Sequence, residues 1–174
     1  IEDDDAAVSF TVSGSRVAGI APTLICPAGT TIHNWDTLSW TAGSTNNSYS
    51  VPFVGTTNFA ITTTGGTWQT LALLGGLNPA LQNQATGGLS PAQYSLSHYI
   101  DFTNTSQSVS TTVTLPTAVP GAQFTLFDVD WGSAQFADKI TITGSYRGNS
   151  VTPILTNGVS NYVIGNSAYG DNTS

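Results

Sequence analysis

The sequence predicts an all-β protein, folded as an antiparallel β-sandwich of jelly-roll or lectin-like type. Helix signals are almost absent, because the chain has no Met and contains Glu and Lys only once each. Short runs of alternating apolar and polar residues are separated by clusters of Gly, Pro and Asn, which is the β pattern. Nine or ten such runs normally pack as two sheets, since one sheet cannot bury its own apolar face.

The first predicted strand is AVSFTVSG (7–14), which alternates cleanly. Val8, Phe10 and Val12 share one of its faces, because alternate residues of a strand project to the same side. The acidic segment before it, residues 1–7, reads as a linker. Residues 8–174 then form a single domain, which a chain of 174 residues is long enough to fill.

The remaining elements follow in chain order. The runs 46–55 and 57–66 predict a hairpin around the turn Val54-Gly55-Thr56. The run 67–77 predicts a strand or a short helical turn. The Gly- and Pro-rich stretch 75–95 predicts a loop over one end of the sandwich, with a short helix at 79–84 or 91–96. Further strands are predicted at 95–104, 108–117, 121–131, 138–146, 149–158 and 160–170.

Charged residues make up only 7% of the chain, far below the usual quarter. A surface of Thr, Ser, Asn and Gln is typical of extracellular or cell-surface β proteins. No run approaches the roughly 20 apolar residues that a membrane span needs, so no membrane insertion is expected. Cys26 is the one cysteine, which excludes an internal disulfide.

The net charge is −7, and the chain has only three basic residues, Arg16, Lys139 and Arg147. Nucleic-acid binding needs several phosphate-neutralising cations on one face, and a polybasic membrane patch has the same requirement. Both functions are therefore excluded.

The segment FTLFDVDWGSAQFADK (124–139) places three carboxylates close together. In a strand, Asp128 and Asp130 share a face about 7 Å apart, and the loop that follows leads back to Asp138. Three interpretations remain open. The carboxylates bind calcium, which prefers oxygen ligands; they hold the loop by hydrogen bonds or ion pairs; or they act as the carboxylate pair of a glycosidase.

Two other groups of residues are candidate sites. Trp35, Trp40 and Trp131 are candidates to stack on sugar rings if they are exposed, whereas buried Trp side chains would simply fill the core. Sequons begin at Asn46, Asn104 and Asn172 and are candidate N-glycosylation sites. Nothing else in the chain suggests catalysis: no G-x-S-x-G elbow is present, and His33 and His98 are far apart in sequence.

The chain resembles modules of large bacterial surface and secreted proteins. These modules carry an apolar strand ending in F-D-[IV]-D, then D-x-[IV]-T-[IV]-T-G, a polar turn and V-T-P. The matching residues here are 127–130, 138–144 and 151–153, and the stretches 37–51 and 87–115 are also similar. The resemblance implies an extracellular β-sandwich in adhesin-like or matrix-like proteins, some of which bind calcium or glycans.

The chain departs from that pattern at YGDNTS (169–174), where these modules usually continue into one more strand. Either that strand lies beyond residue 174, or another molecule supplies it. A sandwich lacking a strand exposes a hydrogen-bonding edge, which a neighbour's strand can fill. We therefore expect a non-enzymatic structural or adhesive module, with other copies of itself or neighbouring domains as partners. In a fibre built this way, residues 8, 10 and 12 belong to the donated strand. The alternative is a calcium-dependent carbohydrate-binding module.

Overall fold

The computed structural model describes residues 31–87, 89–116, 119, 121–133, 135–146, 148–158 and 160–171, together with the backbone of residues 7–13. These residues contain strands and two 3₁₀ turns, Trp35–Thr37 and Ala72–Leu74, and no α-helix. The all-β prediction is therefore confirmed for the part of the chain that is described.

The first eight strands are β1 (Ala7–Ser13), β2 (Asn46–Val51), β3 (Gly55–Thr64), β4 (Thr67–Trp68), β5 (Thr70–Leu71), β6 (Gly76–Leu77), β7 (Ala80–Gln82) and β8 (Ser95–Ser97). The other eight are β9 (Ile100–Asp101), β10 (Ser108–Thr114), β11 (Trp131–Gly132), β12 (Phe136–Ala137), β13 (Lys139–Tyr146), β14 (Asn149–Val151), β15 (Asn161–Ile164) and β16 (Ser167–Gly170).

Eight strands form one main sheet in the order β15-β16-β13-β1-β10-β3-β2, with β14 also paired to β13. All pairs are antiparallel except those of β1, which runs parallel to both of its neighbours. The expectation of a purely antiparallel fold is therefore wrong at this strand. The remaining strands form four separate pairs, β4–β9, β5–β6, β7–β8 and β11–β12, rather than a second continuous sheet among the described residues.

One face of the main sheet carries the core, in two parts. Over β3 and β10, the first core contains the buried residues Trp40, Phe59, Ile61, Ile100, Phe102 and Val109. Over β13, the second core contains Val129, Ile140 and Ile142. Short strand pairs and irregular segments cover both cores. The layer that packs on the main sheet is therefore not a regular second sheet among the described residues.

The predicted strand 121–131 is wrong over most of its length. Residues 121–130 are irregular, and only Trp131–Gly132 is extended and paired. Asp128 has a φ of +62°, a left-handed conformation that interrupts a strand. The segment instead lays Val129 onto the second core.

The predicted helix at 79–84 or 91–96 is also absent. Strands β7 and β8 pair with each other in this region. The buried Gln82 explains the turn after β7, because its Oε1 accepts hydrogen bonds from the backbone N–H groups of Gln84 and Ala85. A side chain that bonds nearby backbone groups in this way competes with helix formation.

Candidate functional site: the central strand and the acidic corner

The most unusual feature of the sheet is the slot occupied by β1. One edge of β1 pairs with β10, from Ala7 opposite Ser108 to Ser13 opposite Thr114. Its other edge pairs with β13, from Ala7 opposite Lys139 onwards. In the described residues β10 and β13 do not pair with each other, so β1 alone links the two halves of the main sheet by backbone hydrogen bonds.

The three predicted donor positions lie in rows that cross this junction. Val8 is in register with Val109 and Ile140, and Phe10 with Thr111 and Ile142. Val109, Thr111, Ile140 and Ile142 are all buried. Position 12 lies in the next row, between Val113 and Gly144. The register therefore aligns positions 8, 10 and 12 with the core-facing rows of both neighbours.

His98 lies against this junction and was not recognised from the sequence as part of it. The Thr111 hydroxyl and His98 Nε2 are 2.9 Å apart, at hydrogen-bond distance. Burial lowers the pKa of His98 to about 4, so the imidazole is neutral at physiological pH. The available signal is the alternation of Leu96, His98 and Ile100, which share one side of an extended segment.

Asp128, Asp130 and Asp138 are called the acidic corner. The acidic corner lies at the end of the slot where β1 begins. The Asp138 backbone N–H donates to Asp130 O (3.0 Å), and the Asp130 backbone N–H donates to Asp138 Oδ2 (3.3 Å). Gly170 N–H donates to Asp138 O (2.8 Å), which ties the end of β16 to the same point. Since Lys139 follows directly and pairs with Ala7, the corner adjoins the start of β1.

The carboxyl groups of Asp128, Asp130 and Asp138 influence one another electrostatically. Burial raises the pKa of Asp138 to about 7; the charges of Asp130 and Asp128 add to the rise, and the hydrogen bond from Asp130 N–H opposes it. Burial, and then the charge of Asp130, also raise the pKa of Asp128. Among the described residues, however, no group of three His, Cys, Asp or Glu side chains is arranged to hold a metal ion.

Gly170 completes the corner and was missed from the sequence. A Cβ atom at this position would overlap the backbone of Asp130. The two segments approach so closely that only glycine fits, which is a common reason for glycine in a strand. This contact and the hydrogen bonds around it make the corner a close junction of three chain segments.

The three Trp residues have different environments. Trp40 is buried in the first core, and its indole N–H donates to Ser44 O (2.9 Å), so it presents no open face to a sugar. Trp35 is half-buried, with its ring centroid 5.4 Å from that of Phe59. Trp131 is 38% exposed and follows Asp130 directly, at the acidic corner.

His33 belongs to the same aromatic group as Trp35. Its ring centroid lies 4.5 Å from that of Trp35, 5.0 Å from Tyr49 and 5.1 Å from Phe59. Its Nε2 atom is buried with no hydrogen-bond partner among the described residues. Burial lowers the pKa of His33, because it disfavours the charged form of the ring.

Two of the three sequons are described. Asn46 is exposed at the start of β2. Asn104 is exposed in the turn before β10, where its Oδ1 accepts hydrogen bonds from the backbone N–H and the hydroxyl of Ser106. Asn172 lies outside the described residues, as do the predicted acidic linker up to residue 6 and Cys26.

Comparison with protein-family models, with curated proteins and with solved structures found no match for this chain. Of the helices in the described ranges, none has the length and apolar character needed to cross a membrane.

Proposed function

We propose that this protein is a non-enzymatic, extracellular structural subunit whose main sheet is completed by the N-terminal strand of another copy, so that subunits join into a fibre. The observation that carries the proposal is the position of β1, hydrogen-bonded along both edges between β10 and β13. A strand that fills the gap between two others is the element that strand complementation transfers between subunits. The same proposal treats the main sheet and its covering strand pairs as a sandwich-like module.

The main sheet without β1 would be unstable on its own, which favours the uptake of a β1 strand from another copy. Without β1, the edges of β10 and β13 would both lack their partners, leaving two rows of unsatisfied backbone groups. The rows beside positions 8 and 10 are buried, so their core contacts would also be lost. A strand of the same sequence from another copy restores both sets of contacts.

The length of the connection after β1 is compatible with transfer. Residues 14–30 separate β1 from Thr31, whose hydroxyl donates to Pro52 O at the β2–β3 turn (2.9 Å). In the main sheet, β1 and β2 are three strand spacings apart, about 14 Å. Seventeen residues can span up to about 60 Å. The connection is therefore much longer than its own slot requires, which leaves length for β1 to reach beyond its own subunit.

A disulfide between register partners tests the proposal. Ser9 and Ser110 lie opposite each other in adjacent strands, about 4.8 Å apart, which suits a disulfide. In a Cys26→Ser background, Ser9→Cys with Ser110→Cys should give a ladder of cross-linked oligomers on a non-reducing gel after assembly. Ser13→Cys with Ser108→Cys, at opposite ends of the slot, is the matched control and should give none.

Cross-linked monomers alone, under every assembly condition, would contradict strand exchange and leave β1 as an ordinary internal strand. Electron microscopy of the same samples checks that any ladder corresponds to fibres.

The acidic corner favours a second candidate, a calcium-dependent carbohydrate-binding module. Three neighbouring carboxylates and the exposed Trp131 beside them are the observations in its favour. It predicts that calcium raises the melting temperature and that Trp131→Ala abolishes retention on a glycan array. An unchanged melting temperature in calcium and in chelator would remove it.

A further inference from the structure

We infer that the outward face of the main sheet is a self-association surface, which docks on the same face of a second copy. This face is the one opposite the two cores, and it is defined by the register of the strands. One row across it runs through Thr62, Ser110, position 9 of β1, Thr141, Ser167 and Ile164. Thr62 and Ile164 at its two ends are exposed, Ser110 and Thr141 are half-buried, and Ser167 is buried. The other rows have the same character, with Ser, Thr and Asn at most positions.

Charge is nearly absent from this face. Lys139 is the one charged residue at the outward positions of the described strands of the main sheet. A surface of this size ordinarily carries about a quarter to a third of charged residues. The net charge of −7 arises elsewhere, in part from the acidic corner. Two copies brought together through this face therefore meet little like-charge repulsion, although each is strongly acidic.

The chemistry of the face is complementary to itself. Each hydroxyl both donates and accepts hydrogen bonds, and hydroxyls on the face already bond across strands. Ser48 Oγ donates to Asn58 Oδ1 (2.6 Å), and the hydroxyls of Thr141 and Ser167 are 2.9 Å apart. The exposed members of this set, such as Ser48 and Asn58, would find equally suitable partners on a second copy, which is the requirement for a two-fold symmetric contact.

Apolar anchors lie at the β15 side of the face. Tyr162 is 44% exposed and Ile164 is 63% exposed. The ring of Tyr162 stacks on Tyr169 at a centroid distance of 5.3 Å and an interplanar angle of 14°. Lys139 Nζ lies 5.4 Å from the Tyr169 ring centroid, so the one cation of the face is held over an aromatic ring. An exposed Tyr and the near absence of charge match two features of interface cores, which are enriched in aromatic residues and depleted in charged ones.

The available area is sufficient for a specific but weak contact. Seven strands at about 4.8 Å spacing and seven residues at about 3.3 Å rise give roughly 600–800 Å² per copy. A standard interface buries about 800 Å² per partner. We therefore expect weak association of single copies and much stronger association where copies are repeated along a fibre, because repeated contacts act together.

This contact differs from strand exchange in its symmetry and does not depend on it. A two-fold contact closes after two copies, whereas strand exchange continues from one copy to the next. If the chain is monomeric, the outward face should give dimers. If the proposed fibres form, the same face should pair or bundle them.

The test uses charge placed on the face of the full-length chain. Thr62→Lys with Ile164→Lys lies at the two ends of one row. Thr152→Lys with Ile154→Lys is the matched control, since it replaces the same residue types by the same charges. Ile154 is 76% exposed and lies outside the strands, next to Leu155, which packs on the second core.

Sedimentation velocity should show a concentration-dependent dimer, or bundled fibres if fibres are present. In the Thr62/Ile164 variant the dissociation constant should rise at least tenfold, or bundles should separate into single fibres, because like charges meet across the contact. The Thr152/Ile154 variant should behave as the unsubstituted chain. If the Ser9/Ser110 disulfide test gives no ladder of oligomers while the unsubstituted chain still forms dimers, strand exchange is contradicted. Association through the outward face is then retained.

A second measurement covers the case in which the double variant does not fold. A nitroxide at Ser110→Cys in the Cys26→Ser background lies near the middle of the face and should show dipolar coupling between copies. Three results would each overturn the inference. The two Lys variants could associate equally; dimers and bundles could be absent at millimolar concentration; or the dipolar coupling could be absent in an associated sample.

Discussion

Replacing Asp138 by Asn should stabilise the protein at alkaline pH and leave its stability almost unchanged at acidic pH. Asp138 is largely buried beside two other carboxylates, and its pKa is raised to about 7 from an ordinary value of 3.8. Asn keeps the size of the side chain and an oxygen that can accept the hydrogen bond from Asp130 N–H. The substitution therefore removes the buried charge and preserves the contact.

The magnitude follows from the shift in pKa. The folded state holds the proton up to about pH 7, whereas the unfolded chain releases it near 3.8. Stability from this group is fully present below pH 3.8 and is lost as the pH rises to 7. A shift of about three units corresponds to about 4 kcal/mol, at about 1.4 kcal/mol per unit. Because the side chain keeps some contact with water, we expect about 2–4 kcal/mol at pH 8.

Urea unfolding of both proteins at pH 4, 6 and 8 measures the difference. The Asn variant should match the unsubstituted chain at pH 4 and exceed it increasingly towards pH 8. Asp36→Asn is the control, because Asp36 also accepts a backbone hydrogen bond, from Tyr94 N–H, outside the corner. If Asp138→Asn lowers stability at pH 8, the charged carboxylate is needed in the fold. The corner would then be a cation site rather than a buried structural junction.

Three further predictions concern other parts of the fold. Gly170→Ala should destabilise the protein by about 3 kcal/mol or more in urea unfolding, because its Cβ would overlap the Asp130 backbone. Gly121→Ala, where a Cβ meets nothing within 4 Å, should have little effect, and equal losses in both variants would refute the close contact. His98 should titrate near pH 4 by NMR, and its contribution to stability should be lost as the pH falls from 6.5 towards 4; a midpoint near 6.5 would show that the ring is solvated. His33→Phe should raise the free energy of unfolding by about 1 kcal/mol, because it removes a buried nitrogen without a partner; a decrease would mean that this nitrogen is bonded in solution.

Elements with a clear alternating pattern could be predicted from the sequence. The strands β2, β10 and β13 lie within the predicted runs, because their alternating pattern is local. The predicted turn at 54–56 is wrong by two residues, since the turn occupies residues 52–54 and β3 already begins at Gly55. The convergence of Asp130 and Asp138 was also predictable, since a short loop joins them. The sequence-based reason for it was wrong, however, because it assumed a regular strand before Asp130.

Features that depend on distant parts of the chain could not be predicted. The parallel pairing of β1 arises from contacts with strands more than 100 residues away, and an alternating pattern does not specify strand direction. The left-handed Asp128 has no local turn signal such as a following Gly. The fit of Gly170 against Asp130 is a tertiary contact between residues 40 positions apart.

The place of β1 in the sheet also determines when the fold can be completed. Ala7 pairs with Ser108 and Lys139, which follow it by 101 and 132 residues (108 − 7 and 139 − 7). During synthesis, this strand leaves the ribosome early, yet its second edge has no partner until β13 has been made. Contacts of such long sequence separation form slowly, because the chain must first lose the entropy of closing a large loop. Until residues 139–146 have been made, β1 can pair with β10 along one edge alone, so the main sheet cannot be completed before β13 is present.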